Sequence, residues 1–229
     1  MIKLLLIEDD INLGYIIKSS LEEIIGNYEV SLASNGEEGL ETLGNFKPDI
    51  IVSDIDMPVL NGLEMVKMIR KSNTDIPIIF ATGKNMSKDV TVGYEAGVNN
   101  YIKKPFLPEE LDAHIKALLQ LKQNQAVKSK EKVYNIGNYI FNPKLYYLDY
   151  NSEKQSLTSR ESQILALLCE HLGEIVPRED ILIKFWNISD YFTSRSLDVF
   201  ISKMRRYLSK DASISIKNIK GVGLILECE

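Results

Sequence analysis

The chain is poor in cysteine and has no long apolar runs. Only Cys169 and Cys228 occur in 229 residues, and Cys169 shares helical spacing with Leu165, Leu168 and Leu172, so it is expected as a small buried hydrophobe rather than half of a disulfide. A disulfide scaffold is therefore not expected, and a reducing, cytoplasmic setting is. No apolar stretch approaches the roughly 18 residues that a membrane span needs. Met1 to Ile7 meets acids too soon to be the core of a signal peptide, so no membrane partner is expected. Internal repeats and low-complexity tracts are also lacking.

What is present divides in two. The length suits two domains, and 45% hydrophobic residues is enough for a core in each. The net charge of −5 hides an asymmetry: residues 1 to 121 hold 11 Lys and Arg against 19 Asp and Glu, whereas 122 to 229 hold 16 against 13. Between 193 and 220 the balance is seven basic residues to two acidic. Such a stripe is either a solvated helix face or a surface for a polyanion.

In the first half, short apolar strands alternate with helical patterns. Leu4 to Ile7 precedes a helix stripe of Leu13, Ile16, Ile17, Leu21, Ile24 and Ile25. Tyr28 to Ala33 precedes a helix ending near Leu43, and the run to Asp54 precedes a helix over Leu63 to Arg70. Ile76 to Ala81 precedes Ser87 to Ala96, and Asn100 to Lys103 precedes Pro108 to Gln120. Five β/α units of this kind imply a doubly wound parallel sheet with helices on both faces, an α/β class whose ligands sit beyond the carboxyl ends of the strands.

Those ends carry Glu8, Asp9, Asp54, Thr82 and Lys104. Three carboxylates brought together repel unless a cation neutralises them, and an all-oxygen set suits Mg²⁺. Asp9 and Asp54 are expected as direct ligands, Glu8 mostly through water, and Asp56 through its main-chain carbonyl. A carboxylate can attack phosphorus if charge on the transferred oxygens is stabilised, here by Lys104 and the Thr82 hydroxyl, while small Gly83 leaves room for the donor. Alone, each residue reads as a cap, a turn former or a surface amine; the combination is what points to chemistry.

Residues 122 to 132 lack apolar periodicity and read as a linker or helix extension, separating 1 to 121 from 133 to 229. Beyond them, antiparallel strands are expected over 134 to 157, then helices over Ser159 to His171, Arg178 to Phe185 and Ser194 to Ser209, then two strands around Gly221-Val222-Gly223. On the third helix Leu197, Ile201, Met204 and Leu208 form one apolar stripe. The other face is expected to present Arg195, Val199, Ser202, Lys203 and Arg206 with Arg205 on its flank, which suits the major groove of double-stranded DNA.

Glu8-Asp9, Asp54 with Met57-Pro58 and Gly62, Thr82, and Tyr101 with Lys104-Pro105-Phe106 resemble the receiver domain of two-component response regulators, over residues 2 to about 121. The resemblance implies a phosphoryl group donated to Asp54 by a sensor histidine kinase, transient Mg²⁺, a cis Lys104–Pro105 bond, and Thr82 and Tyr101 as switch residues. Catalysis would be limited to the protein's own phosphotransfer and dephosphorylation. Asp54-Ile55-Asp56 also fits a haloacid-dehalogenase-like phosphatase, but there the acidic pair follows the Lys, and here Glu8-Asp9 comes first.

Leu157-Thr158-Ser159-Arg160-Glu161, Val176-Pro177-Arg178-Glu179, Trp186, Ser194 to Val199 and Ile219 to Gly223 resemble the OmpR/PhoB-type effector, a winged helix-turn-helix of α+β class. The resemblance places Arg195, Ser196, Val199, Phe200, Ser202, Lys203, Arg205, Arg206 and Lys220 toward DNA, with Phe200 where His is common and Leu224 where a wing Tyr is usual. It also implies a homodimer on activation and RNA polymerase as a further partner. On the receiver dimer face Asn99 and Asn100 stand where two Asp are usual, and His114 and Lys116 where Arg is, which leaves a constitutive DNA-binding regulator as an alternative.

Overall fold

The parallel sheet has the strand order β2-β1-β3-β4-β5, with β1 Ile2–Ile7, β2 Tyr28–Ala33, β3 Ile50–Asp54, β4 Ile78–Thr82 and β5 Asn100–Lys103. The computed structural model describes residues 1–83, 89–128, 132–186 and 191–228. Its helices are α1 Ile11–Ser19, α2 Gly36–Phe46, α3 Gly62–Ser72, α4 Asp89–Ala96 and α5 Pro108–Lys128. The α/β expectation is met. Leu4 to Ile7 of β1 and Ile50 to Val52 of β3 are apolar and buried on both faces, as a sheet covered by helices on both sides requires. Residues 87 and 88 of the expected fourth helix lie outside the described residues.

Caps set the helix starts. The Asp10 carboxylate accepts from the N–H groups of Asn12 and Leu13, Asn35 from Glu37 and Glu38, and Asn61 from Glu64. After α1 the chain continues as a π-helical turn, Ser20–Ile25. That turn holds an extra residue, which rotates the following side chains. Ile17 and Leu21 are buried and Ile25 packs on the core, but Ile16 and Ile24, expected in the same stripe, face solvent.

The chain divides into Met1–Gln120 and Leu121–Glu229, and α5 runs on to Lys128 through part of the segment read as a linker. In the second unit β6 Tyr134–Ile136, β7 Tyr139–Asn142, β8 Tyr147–Tyr150 and β9 Glu153–Ser156 form an antiparallel sheet. Helices α6 Ser159–Glu170, α7 Arg178–Trp186 and α8 Tyr191–Tyr207 follow. A second sheet, ordered β10-β12-β11, combines β10 Ile175–Pro177, β11 Ile214–Ile219 and β12 Gly223–Cys228. This is a winged helix-turn-helix. Thr158 and Glu161 close a capping box on α6.

Strand β10 escapes a local reading because three residues ending in proline carry no periodicity; it exists only through its pairing with β12. At that junction a Cβ on Gly223 would overlap the Val176 carbonyl, so only glycine lets the strands close. Tyr139 Oη donates to the Tyr207 carbonyl and Tyr150 Oη to that of Lys210, tying the four-stranded sheet to the C-terminal end of α8.

Candidate functional site

Strand ends and turns assemble the acidic site. Glu8 follows β1, Asp54 ends β3, Thr82 ends β4 and Lys104 follows β5, so parallel register delivers all four to one edge. One carboxylate oxygen from each of Glu8, Asp9 and Asp54 lies within 4.8 Å of the other two. Lys104 Nζ donates to Glu8 Oε2 at 2.5 Å and to Asp54 Oδ2 at 2.6 Å. Asp54 Oδ1 accepts from the backbone N–H groups of Ile55, at 2.5 Å, and Asp56, at 3.3 Å. Both carboxylate oxygens of Asp54 are thus held, with Oδ2 on the lysine side.

Burial pushes the Glu8 carboxyl above its ordinary range, outweighing the lysine, with Asp54 and Asp9 adding to the rise. Burial alone would lower Lys104, but the hydrogen bonds that it donates to Asp54 and Glu8 hold it above its usual value. One ammonium therefore faces three carboxylates. An oxygen-only set with this excess of negative charge fits a hard divalent cation such as Mg²⁺. Gly62 makes the geometry possible: its N–H donates to the Ile55 carbonyl, and a Cβ there would overlap the Asp54 carbonyl. The Lys104–Pro105 peptide is cis.

Thr82 is buried at the end of β4. Tyr101, one strand over, is also buried, its ring 5.6 Å from that of Phe80 and 5.1 Å from that of Tyr94. That inward position depends on α4: a Cβ at Gly93 would overlap the Tyr101 hydroxyl and lie 2.9 Å from Cζ. Around an added Cβ at exposed Gly83 no described atom lies within 4 Å.

Of the four residues expected on a dimer face, two are turned inward. Asn99 is 4% exposed, and its Oδ1 accepts from the Ile78 N–H and from Arg70 Nη2. The same guanidinium donates to the carbonyls of Gly97, Asn73 and Ile76. Asn100 is 7% exposed, bonded to the Tyr101 N–H and to the half-buried His114 ring. Neutral amides at 99 and 100 can be buried and satisfied where carboxylates would carry a desolvation cost. Lys116 is exposed and pairs with Asp112 one turn earlier.

Helix α8 is enclosed over a wider arc than its apolar stripe indicates. Arg195, Ser202, Arg205 and Arg206 are exposed as expected, as is Lys220 in the turn between β11 and β12. Ser196, Val199 and Phe200 are not. Phe200 is fully buried with its ring 5.9 Å from that of Trp186, Val199 is 9% exposed, and the buried Ser196 hydroxyl donates to the Thr193 carbonyl. Lys203 folds back onto buried Glu161, leaving 11% of its side chain exposed. These four side chains depart from the exposed face expected of them, for two reasons. Helices α6 and α7 cover a second side of α8, and an unpaired Glu161 inside the protein would be costly. Leu224 is core as well.

Two family models match the chain: the response regulator receiver domain over residues 4–116, and the C-terminal domain of transcriptional regulatory proteins over 152–226. Transcriptional regulatory protein RprY of Bacteroides fragilis is 38% identical over 97% of this chain and 93% of its own. The alkaline phosphatase synthesis transcriptional regulatory protein PhoP of Bacillus subtilis is 32% identical over 98% and 96%. The chain is a two-component response regulator of the OmpR/PhoB type. Among solved structures, a RitR mutant shares the fold over the full length of both chains, with a TM-score of 0.80 and 22% identity. A CheY-like receiver domain of Methanospirillum hungatei covers 55% of this chain and 98% of its own, with a TM-score of 0.51 and 27% identity.

As a response regulator it controls transcription and is not a dedicated enzyme, and its two domains imply DNA and a histidine kinase as partners. Among the described residues no helix is long and apolar enough to cross a membrane. Three features of this regulator had no signal in the sequence reading. Gly93 makes room for a side chain eight residues away. Arg178 joins α7 to α8 through Ser194 and, at 2.8 Å, Asp198. Val59, in the turn that follows β3, holds φ at +66°. That value is an outlier for a β-branched residue and signals local strain.

Proposed function

We propose that Asp54 is the phosphoryl acceptor of this regulator, with Lys104 and Thr82 acting on the transferred group and Glu8, Asp9, Asp54 and the Asp56 carbonyl holding Mg²⁺. The observation that carries this is the Lys104 ammonium 2.6 Å from Asp54 Oδ2 beside two further carboxylates. Backbone N–H groups of Ile55 and Asp56 orient the Asp54 carboxylate. An Asp54 oxygen attacks phosphorus of a kinase phosphohistidine, the P–N bond breaks, the imidazole leaves, and an aspartyl phosphate forms. Lys104 then balances charge on the phosphoryl oxygens and the Thr82 hydroxyl donates to one of them. When bound, Mg²⁺ would supply charge neutralisation for the carboxylates and for the transferred phosphoryl group. Water later cleaves the acyl phosphate and restores Asp54.

Thr82 and Tyr101 report occupancy. The activated protein acts in the cytoplasm as a homodimer that enters the major groove with Arg195, Ser202, Arg205 and Arg206 of α8 and reaches the flanking groove with Lys220. RNA polymerase is a further partner. Dimer contacts on α4 and α5 would fall to exposed groups such as Val92 and Lys116 rather than to Asn99 and Asn100. Labelling with acetyl phosphate or a phosphorylated kinase tests the acceptor. One equivalent of label is expected on wild type and none on Asp54→Asn; equal label on both would overturn the assignment, and multiple turnovers of a generic phosphoester would point to a phosphatase.

A further inference from the structure

Asn100 and His114 form a hydrogen bond whose direction is fixed by its neighbours. Asn100 Oδ1 accepts from the Tyr101 backbone N–H at 2.9 Å, so the amide presents its NH₂ to His114 Nδ1, 2.7 Å away. An amide nitrogen can only donate. Nδ1 must therefore be the bare, accepting nitrogen of a neutral imidazole that carries its proton on Nε2. A proton on Nδ1 would set two donors against each other. Rotating the amide to answer it would turn an NH₂ onto the Tyr101 N–H, and Asn100 is too buried for water to substitute.

The pair sits where α5 meets the head of β5. Below it Leu111, Ile115 and Leu118 of α5 pack into the core that contains Ile102 of β5. The charged group acting on the ring is Glu110, one turn earlier on α5, which favours protonation; β5 presents the neutral Asn100 amide. Burial outweighs Glu110 and holds the imidazole below its ordinary value of 6.5.

We propose that Asn100 and His114 form an acid-sensitive latch, which fastens α5 to β5 at neutral pH and opens when His114 takes up a proton, loosening the strand end that carries Tyr101. Because the folded state disfavours the charged ring, the stabilisation is complete above pH 6.5 and is lost as pH falls below it. The latch gives the receiver a response to cytoplasmic acidification that does not require phosphate on Asp54.

The chain contains two histidines, His114 and His171, and a free histidine peptide serves as the reference. In full-length protein, histidine ring carbon and nitrogen shifts and Tyr101 amide exchange, scaled to intrinsic rates, would be followed from pH 8 to 5. Expected are an Nε2–H tautomer for His114, a titration midpoint below the ordinary imidazole value of 6.5, and Tyr101 protection that falls at least about threefold through that midpoint. Asn100→Asp offers an acceptor to Nδ1–H and should raise the midpoint by about one unit or more, a tenfold change in proton affinity. His114→Gln, which can still accept from the Asn100 amide, should make Tyr101 protection independent of pH. Any one of three results overturns the proposal: His114 titrating at the ordinary imidazole value, a midpoint unmoved in Asn100→Asp, or unchanged Tyr101 protection across the wild-type titration.

Discussion

The Phe200 ring packs 5.9 Å from that of Trp186, so a residue in the middle of the expected DNA-reading face belongs instead to the core that supports it. The face left to solvent on α8 is narrower and more cationic than its sequence indicates, with arginines at 195, 205 and 206 around Ser202. Core and contact residues therefore answer to different measurements.

Phe200→Ala should cost about 3 to 5 kcal/mol of stability through loss of a buried aromatic, read by urea unfolding. Arg206→Ala should leave unfolding nearly unchanged, weaken DNA binding on all sequences tested, and reduce the slope of log affinity against log salt by about one. A loss of DNA sequence preference in a fully stable Phe200→Ala protein would contradict the placement of this ring.

Lys203→Met should behave like the core variant and not like Arg206→Ala. It strands Glu161 inside the protein, and breaking a buried pair costs about 3 to 5 kcal/mol. Because Lys203 is taken up by Glu161, the salt dependence of DNA binding in the fraction that remains folded is expected to stay at the wild-type slope.

Glu8 titrates high because it is buried beside Asp54 and Asp9. Its folded-state value exceeds the unfolded one, so the protonated form is favoured by folding, and that stabilisation is lost as pH rises through the raised value. At neutral pH without divalent cations, Glu8→Gln should therefore be more stable than wild type, with the gap closing on acidification. Adding Mg²⁺ at ten times its Kd should stabilise wild type by about 1.4 kcal/mol and Asp9→Ala much less, as measured by thermal unfolding.

Gly93→Ala tests the pocket for Tyr101. Inside a helix this change ordinarily stabilises by up to about 1 kcal/mol. Here overlap with the Tyr101 hydroxyl should make it destabilising by about 1 to 3 kcal/mol, with the ring displaced outward in aromatic NMR spectra. Adding Tyr101→Phe should recover part of the loss, because the hydroxyl is the atom that a Cβ would overlap.

The elements legible in sequence are those whose signals are local and repeated. Alternating apolar strands and helix stripes announced five β/α units. The acidic pocket was legible for a related reason. Glu8, Asp54, Thr82 and Lys104 each end a strand or follow one directly, and a parallel sheet must bring such ends to one edge, so position along the chain sufficed to place them together.

The π-helical turn, strand β10 and the directions of Asn99, Asn100, Val199, Phe200 and Lys203 were decided by tertiary structure. Five of these depend on a partner distant in the chain: Arg70 for Asn99, His114 for Asn100, Trp186 for Phe200, Glu161 for Lys203 and β12 for β10. By itself the sequence determined the two-domain architecture and the acidic cluster around Asp54, because periodicity and strand ends are properties of short segments. Only the tertiary structure decided which polar groups remain on the surface, because a buried polar group must find a partner and that partner is set by packing.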